Sequence, residues 1–215
     1  MEIENINTHE LTRGRLEIRV TRAESPSLFW VQLKNGERDL MELIEKLNFR
    51  MNRRSQYLHC WPEDLKEDEP CAVKIKTIWQ RGVIIRVNTM THRIKISLRD
   101  WGMVIWRPMG HVYFLEDRFR DLPWQSIRCG LPHTGPAVTT ATEWPEKIRQ
   151  LCKILTERQE GWMQIVHPLG DRTAMVKLMI YNEYTEGAHN LRDFLIQLGH
   201  ARLTENITTD VYLTV

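Results

Sequence analysis

Residues 71–102 read CAVKIKTIWQRGVIIRVNTMTHRIKISLRDWG, and residues 122–131 read LPWQSIRCGL. Much of the first stretch alternates between apolar and polar side chains, a pattern typical of strands with one buried and one solvated face. Asn, Thr, Asp and Gly divide it into short runs, and these residue types form tight turns. The stretch therefore predicts a small β-barrel that presents an aromatic side chain at a turn. The second stretch predicts a segment that clamps this barrel to another fold.

The segments on either side of the predicted barrel share a mixed pattern of strands and helices. Before it, residues 15–33 predict two strands, and the spacing of Leu40, Leu43 and Leu47 predicts an amphipathic helix from Arg38 onward. After it, the periodicity predicts a helix, two strands and a second helix, at residues 144–158, 162–168, 173–181 and 190–203. This arrangement indicates one fold that is split by an insertion.

Composition limits the classes of partner and environment. The chain has 30 basic and 28 acidic residues, a formal charge of +2 and a pI of 8.4, below the ~9 that marks many nucleic-acid binders. Its four cysteines lack close pairing, so they fit reduced core thiols of a reducing compartment better than disulfides or a zinc site. No apolar run approaches the ~20 residues of a membrane span, and no targeting signal is visible.

The order and spacing of several short motifs resemble the extended Tudor domain family over nearly the whole chain. The motifs are VT at 20–21, SPSLFWVQL at 25–33, CAVK at 71–74, WQRG at 79–82, DWG at 100–102 with Pro108, and LP at 122–123 followed by Ile127, Cys129, Leu131 and Trp144. The resemblance implies a mainly β protein with helices, a β-barrel plus an α+β part. In this family a Tudor barrel is inserted into a split, staphylococcal-nuclease-like OB fold.

The resemblance also implies domain boundaries. We expect the first part of the nuclease-like half, with its helix, at 15–66, the Tudor barrel at 67–115, a linker at 116–135 and the second part of the nuclease-like half at 136–215. Packing should join residues 15–51 to 136–215, while 71–115 forms its own barrel.

Members of the family read arginine-rich tails, often symmetrically dimethylated, on Piwi-type Argonaute proteins, and act as scaffolds without nuclease activity. The resemblance therefore implies a non-catalytic peptide-binding module whose partner is the arginine-rich N-terminal tail of a Piwi-type protein, with another Tudor-family scaffold protein as a further partner. It implies a cytoplasmic location in perinuclear germ granules (nuage). No membrane partner is expected, and the near-neutral charge argues against direct RNA binding.

The family's aromatic cage is depleted in this sequence. The cage positions fall on Ile75, on Gln80 or its neighbour Trp79, and on Leu98, Trp101 and Met103. Each aromatic face contributes ~0.5–2 kcal/mol to binding a guanidinium, and Met103 replaces an asparagine that supplies hydrogen bonds. We therefore expect weak or no dependence of binding on arginine dimethylation.

Several other residues receive structural interpretations. Trp106 is predicted to lie in the core, and Asp100 is predicted to fix its turn through hydrogen bonds to the backbone. No metal-ligand spacing surrounds His59-Cys60 or Cys152, and no catalytic motif or cofactor motif occurs. We therefore expect no enzyme activity, no cofactor and no metal.

Two alternatives remain open at the level of sequence. The chain could be a protein–protein scaffold or dimerisation module that uses a surface outside the cage. It could also bind single-stranded RNA through its OB-type half, which would normally show a basic groove with exposed aromatic residues. The near-neutral charge of the chain disfavours this second alternative.

Overall fold

The computed structural model describes residues 2–181 and 187–207. Contacts between Cα atoms divide the chain into two compact units. The first unit comprises residues 36–125 with the N-terminal residues through Asn5, and the second comprises residues 6–35 with the described residues from Ser126 onward. The second unit is therefore discontinuous in sequence.

The secondary structure is dominated by strands. In chain order the strands are β1 (Leu16–Ser25), β2 (Leu28–Leu33), β3 (Pro70–Ile75), β4 (Ile78–Asn88), β5 (Arg93–Leu98), β6 (Met103–Pro108), β7 (Val112–Phe114), β8 (Ser126–Gly130), β9 (Thr134–Pro136), β10 (Glu160–Pro168), β11 (Thr173–Tyr181), β12 (Ala188–Asn190) and β13 (Ala201–Leu203). The α-helices are α1 (Glu37–Arg54), α2 (Glu146–Thr156) and α3 (Leu191–Gln197). None of the helices in the described residues is long and apolar enough to cross a membrane.

The second unit is a closed barrel with added helices. Its strands follow the order β10-β1-β2-β8-β11-β12, and β10 also pairs with β11. This additional pairing returns the sheet onto itself, so five strands form a closed barrel and β12 extends it. Strands from the beginning of the chain thus complete a barrel with strands from its end. The predicted split OB-type fold is confirmed.

The core of the second unit explains the alternation of buried and exposed residues along its strands. Ile18 and Val20 on β1 are fully buried, while the intervening residues are more exposed. Ile148 and Cys152 on α2 belong to the same core, as the helical spacing predicts. Trp144 joins the core through its ring and donates a hydrogen bond from Nε1 to Ser27 Oγ at 2.7 Å. Its buried N–H is therefore satisfied, which a buried tryptophan requires.

The first unit is a five-stranded sheet of order β6-β5-β4-β3-β7, packed with helix α1. Strand β4 is central and contains a bulge, because Ile84 pairs with Ile96 while Arg86 pairs with Lys95. The extra residue, Ile85, changes which side chains of β4 point to each face beyond that point. The predicted Tudor barrel is confirmed, and its strands fall within residues 70–114.

The unit to which α1 belongs differs from the sequence-based expectation. We predicted that residues 15–66 form one half, but α1 lies in the first unit with the barrel strands. Its buried residues Leu47 and Met51 share a core cluster with Trp79 and Val83 of β4. Helical periodicity identifies a buried face without identifying the sheet that covers it, so the sequence pattern could not place α1.

The predicted helix at residues 190–203 is also shorter than expected. It begins after Asn190, whose side chain accepts a hydrogen bond from the Arg192 N–H, and ends at Gln197. Gly199 has a positive φ of 70°, which stops helical propagation. The last three residues of the predicted helix, Ala201–Leu203, form β13, which pairs with β9.

Candidate functional site

Two turns lie at the same end of the sheet of the first unit. Residues 76–77 join β3 to β4, and residues 99–102 join β5 to β6. Because β4 is antiparallel to both β3 and β5, the start of β4 lies near the end of β5. We call this end the barrel mouth and define it by Ile75, Gln80, Leu98, Trp101 and Met103.

The interior side of the mouth is apolar. A Cβ placed on Gly82 would meet Ile96 Cγ2 at 2.6 Å and Leu98 Cδ2 at 3.2 Å, so this face of β4 points into the barrel. Gln80 precedes Gly82 by two residues and therefore lies on the same face. Leu98 is buried, whereas Ile75 and Trp101 are partly buried against the same core cluster.

The Gln80 amide and the flexible Met103 side chain complete the mouth. The Gln80 Oε1 atom is buried and has no hydrogen-bond partner among the described residues, a situation that costs about 1–3 kcal/mol. The Gln80 residue as a whole is partly exposed, so a change of rotamer can bring its amide toward solvent. Met103 pairs with Leu98 across the strands and is 39% exposed. The mouth thus combines one aromatic ring, one amide and aliphatic side chains.

Trp79 does not lie with the other predicted site residues. It is on the opposite face of β4 and is only 3% exposed. Its Nε1 donates to Asn52 Oδ1 at 3.0 Å, and its ring meets Tyr113 edge to face at 4.9 Å. Asn48 Oδ1 accepts from the Trp79 backbone N–H at 2.9 Å. Trp79 therefore serves as a core residue under α1. Of the two alternatives for this position, the structure brings Gln80 to the mouth.

A buried ion pair holds the turn that carries Trp101. Arg81 Nε and Nη2 donate to the two carboxylate oxygens of Asp100 at 2.7 and 2.9 Å, and both side chains are almost fully buried. The Trp101 N–H donates to Leu98 O at 2.9 Å, and Gly102 has a positive φ of 69°. Asp100 Oδ1 also accepts from the Gln125 backbone N–H at 3.0 Å. Asp100 therefore has the structural role that was predicted, but these contacts hold it through Arg81 and Gln125, which lie outside the turn.

Arg81 also binds the segment that follows the barrel. Its Nη1 donates to the carbonyls of Phe119 and Leu122 at 3.1 and 2.6 Å, and its Nη2 donates to Pro123 O at 2.8 Å. The guanidinium lies 4.7 Å from the centre of the Trp124 ring. Sequence reasoning missed Arg81, although a charged residue next to an apolar strand segment of β4 was a usable signal.

The titratable groups indicate structural roles. Two charge-assisted hydrogen bonds from Arg50 lower the pKa of Glu116 to about 2. Burial raises the pKa of the Cys60 thiol to about 11 and that of Cys152 to about 12, and it also raises the pKa values of Cys71 and Cys129. Thiols with raised pKa values stay protonated near neutral pH and are poor nucleophiles. Within residues 2–181 and 187–207, no three His, Cys, Asp or Glu side chains gather as a metal site.

The position of Trp106 differs from the sequence-based prediction. It was predicted to lie in the core, but it is 37% exposed on β6. Its cross-strand partner is Lys95, and Val104, two residues earlier, is 44% exposed. The prediction failed because Ile105, and not Trp106, packs against the core cluster, and adjacent residues of a strand point to opposite faces.

A separate groove lies in the first unit between α1 and residues 118–122. Its volume is about 900 Å³, and its apolar lining comes from Leu43, Phe49, Phe119 and Leu122. Phe49 is 61% exposed. The charged lining includes Lys46, Arg50 and Arg118, which are paired with Glu42 or Glu116. It also includes Asp39, Glu45 and Asp121, and the described part of the chain provides no ion-pair partner for these three carboxylates.

Comparison with known proteins identifies related sequences and folds. Residues 15–133 match the Tudor domain family. The mouse Tudor domain-containing protein 6 is 24% identical over 194 residues, which cover 88% of this chain and 8% of that protein. The chain thus spans about a twelfth of the length of this curated relative.

Two solved structures share the fold. The extended Tudor domain TD3 of mouse TDRD1, in complex with a MILI peptide containing dimethylarginine, has a TM-score of 0.78 and 16% identity, covering 94% of this chain and 99% of that one. A mutant extended Tudor domain of Drosophila melanogaster Papi, in complex with an unmethylated Piwi N-terminal peptide, has a TM-score of 0.75 and 17% identity, covering 88% and 99%. At such low identity these likenesses show the fold alone.

Proposed function

This chain belongs to the Tudor domain family, and from that premise we propose that its barrel mouth binds an arginine-containing tail of a Piwi-type Argonaute protein. The related domains of TDRD1 and Papi have been solved with MILI and Piwi peptides, which supports a peptide as the class of ligand. The proposal assigns Trp101 as the main contact with the arginine, on a floor formed by Ile75 and Leu98.

The observation that carries the proposal is the construction of the Trp101 turn. One side of the ring packs against the barrel core, while part of its surface stays open. The buried Arg81–Asp100 pair fixes the backbone of the turn before any ligand binds. A ring that is already positioned loses little conformational entropy on binding, so its contact with a guanidinium contributes more to affinity.

The composition of the mouth supports weak dependence on methylation. Trp101 is the one aromatic ring of the mouth, and Met103 cannot reproduce the hydrogen bonds of an amide. The unpaired Gln80 Oε1 would instead accept from guanidinium N–H groups, and methylation reduces the number of those groups. Loss of a donor then offsets the additional van der Waals attraction between the methyl groups and the ring.

The proposal describes a scaffold that performs no chemistry. The raised pKa values of Cys60 and Cys152 support this assignment for the cysteines, because protonated thiols are poor nucleophiles. Purified protein with Mg²⁺ or Ca²⁺ should leave single- and double-stranded RNA and DNA intact. Cleavage that co-purifies with the chain and disappears when a carboxylate cluster is mutated would contradict the proposal.

We extend the proposal to location: the protein works in the cytoplasm, in perinuclear germ granules, where its partner tails would be found. The support is family membership. Imaging of the tagged full-length protein in germ cells tests this location. A diffuse distribution that does not coincide with that of the Piwi-type partner would contradict it.

Isothermal titration with an unmethylated arginine-rich Piwi-tail peptide tests the ligand. We expect Trp101→Ala to weaken binding at least tenfold, whereas Trp61→Ala, which removes a tryptophan exposed elsewhere in the same unit, should leave it unchanged. A peptide with lysine in place of arginine should bind more weakly, since an ammonium lacks the planar face that stacks on a ring. Equal binding by wild type and Trp101→Ala would contradict the assignment.

The groove beside α1 supports a scaffold as the second candidate function. Its exposed Phe49 and three carboxylates without ion-pair partners in the described residues suit an apolar partner segment flanked by lysine or arginine. Peptides of that composition should lose binding to Phe49→Asp and retain it with Trp101→Ala. The reverse pattern would assign the same peptides to the barrel mouth.

A further inference from the structure

The charge of the first unit is strongly polarised along the sequence. From Gly82 to Leu115 the basic residues are Arg86, Arg93, Lys95, Arg99 and Arg107, and the sole acidic residue is Asp100. Asp100 is buried and paired with Arg81, so it adds no negative charge to the surface. The formal charge of +2 for the whole chain hides this local excess of positive charge.

Strand pairing places part of this charge in one row. Arg86 pairs with Lys95, and Lys95 pairs with Trp106 on the next strand. The bulge at Ile85 points Arg86 outward, because Ile84 before it and Val87 after it both pack toward the core. Arg93 lies two residues from Lys95 and therefore on the same face. We call Arg86, Arg93, Lys95, Val104 and Trp106 the outer face of the barrel.

The outer face offers cations and an aromatic plane together. Arg86, Arg93 and Lys95 have no ion-pair partner within the described residues. The Glu67 carboxylate accepts a hydrogen bond from the Val87 backbone N–H on β4. Trp106 and Val104 are 37% and 44% exposed. Such exposure of large apolar groups beside free cations on one sheet face indicates a binding surface.

We propose that the outer face binds single-stranded RNA without sequence preference, independently of the arginine-binding mouth. The cations contact phosphates, and Trp106 stacks on a base. This combination is how proteins bind single strands, since every base has a π-face and every nucleotide a negative charge. Trp106 lies on the face of β6 opposite to Ile105, which packs against the core cluster, so its ring is on the outer side of the sheet with Lys95.

An acidic protein segment would satisfy the same cations but would not use the ring. Stacking on an exposed tryptophan contributes enough per base to separate the two partners experimentally. The choice of RNA therefore rests on Trp106 and is tested by changing that residue alone.

Fluorescence anisotropy with a labelled 12-nucleotide oligouridine at 50 mM salt provides the test. Trp106→Ala should weaken binding about tenfold, and Trp106→Phe, which keeps a ring, should restore most of the affinity. The double variant Arg93→Glu/Lys95→Glu should weaken it further and reduce the slope of log affinity against log salt by about 1.4. Thermal unfolding of each variant should match wild type, which separates loss of binding from loss of fold.

Matched controls come from the same unit. Trp61 is exposed, as is Lys66, and neither lies on the outer face, so Trp61→Ala and Lys66→Glu should bind RNA like wild type. The proposal is overturned if wild type does not bind, if the controls weaken binding equally, or if Trp106→Ala has no effect. Equal competition by polyglutamate of the same charge would also overturn it and favour an acidic protein partner. Trp101→Ala should retain RNA binding, so this result does not depend on the proposed peptide site.

Discussion

The side of the barrel that faces α1 and the barrel mouth each contain a tryptophan, but the two are built in opposite ways. Trp79 is buried, its N–H groups donate to Asn48 and Asn52, and its ring packs against Tyr113. Trp101 is partly open and lies among aliphatic residues, with an unpaired amide oxygen nearby. The hydrogen bonds of Trp79 stabilise the fold, whereas under our proposal the open ring and the unpaired amide oxygen at the mouth contact a ligand.

The largest effect should come from the ion pair that joins the two regions. Arg81→Met leaves Asp100 buried without its partner, so we expect a loss of about 3–5 kcal/mol in the free energy of unfolding, measured by urea denaturation. Arg86→Met on the same strand is the control and should change stability by less than about 0.5 kcal/mol, because Arg86 is exposed. Similar losses in both variants would show that the buried pair has no special role.

Replacing Trp79 should mainly lower stability, whereas replacing Trp101 should mainly lower peptide affinity. Trp79→Ala removes a buried ring and should cost about 3 kcal/mol of unfolding free energy. Trp101→Ala should cost clearly less, because part of that ring is already exposed. Peptide affinity measured on folded protein should fall for Trp101→Ala only. If Trp101→Ala were the more destabilising change, its ring would be a core residue and the contrast would fail.

Changing Gln80 sharpens the description of the mouth. Gln80→Leu removes the unpaired oxygen and should leave stability equal or slightly higher, while arginine-peptide affinity falls about tenfold. Gln80→Glu should strengthen binding, since a carboxylate makes a charge-assisted hydrogen bond to guanidinium. Unchanged affinity in both variants, measured by calorimetry, would remove Gln80 from the site.

The smallest effect concerns pH and lies outside both regions. The pKa of Glu116 is lowered to about 2, so its pair with Arg50 contributes stability above the ordinary pKa of about 4.5, and this stability is lost as pH falls toward 2. The melting temperature of wild type should exceed that of Glu116→Gln at pH 6, and the difference should shrink as pH falls through about 2. The difference should be small and should shrink in high salt, because the pair is partly exposed. A difference that grows on acidification would contradict the assignment.

The sequence predicted the strands and the Trp101 turn well, for physical reasons. In β5 the alternation of Ile94, Ile96 and Leu98 with polar residues assigns each side chain to a face. Strand β4 lacks such alternation after Arg81, and its bulge changes which side chains point to each face. The sequence pattern therefore could not show whether Trp79 or Gln80 lies at the mouth. Only the packing of β4, with Gly82 against the side chains of Ile96 and Leu98, assigned Gln80 to the interior side.

Contacts between residues far apart in the chain could not be predicted from the sequence. Arg81 contacts residues about 20 and about 40 positions away, and no local pattern encodes those pairs. The exposure of Trp106 depends on which face of β6 packs against the core, and composition does not reveal that face. The total charge of the chain likewise does not show the basic segment between Gly82 and Leu115.

The most direct test of the contrast between the two regions compares two Piwi-tail peptides that differ only in symmetric dimethylation of one arginine, titrated into the same protein by calorimetry. With Trp101 as the one ring of the mouth, dimethylation should change affinity by less than tenfold, or under about 1.4 kcal/mol. Met103→Asn should not create a methyl preference, because Ile75 and Leu98 stay aliphatic. A strong preference of wild type for the dimethylated peptide would contradict the account, since it would require a second ring at the mouth.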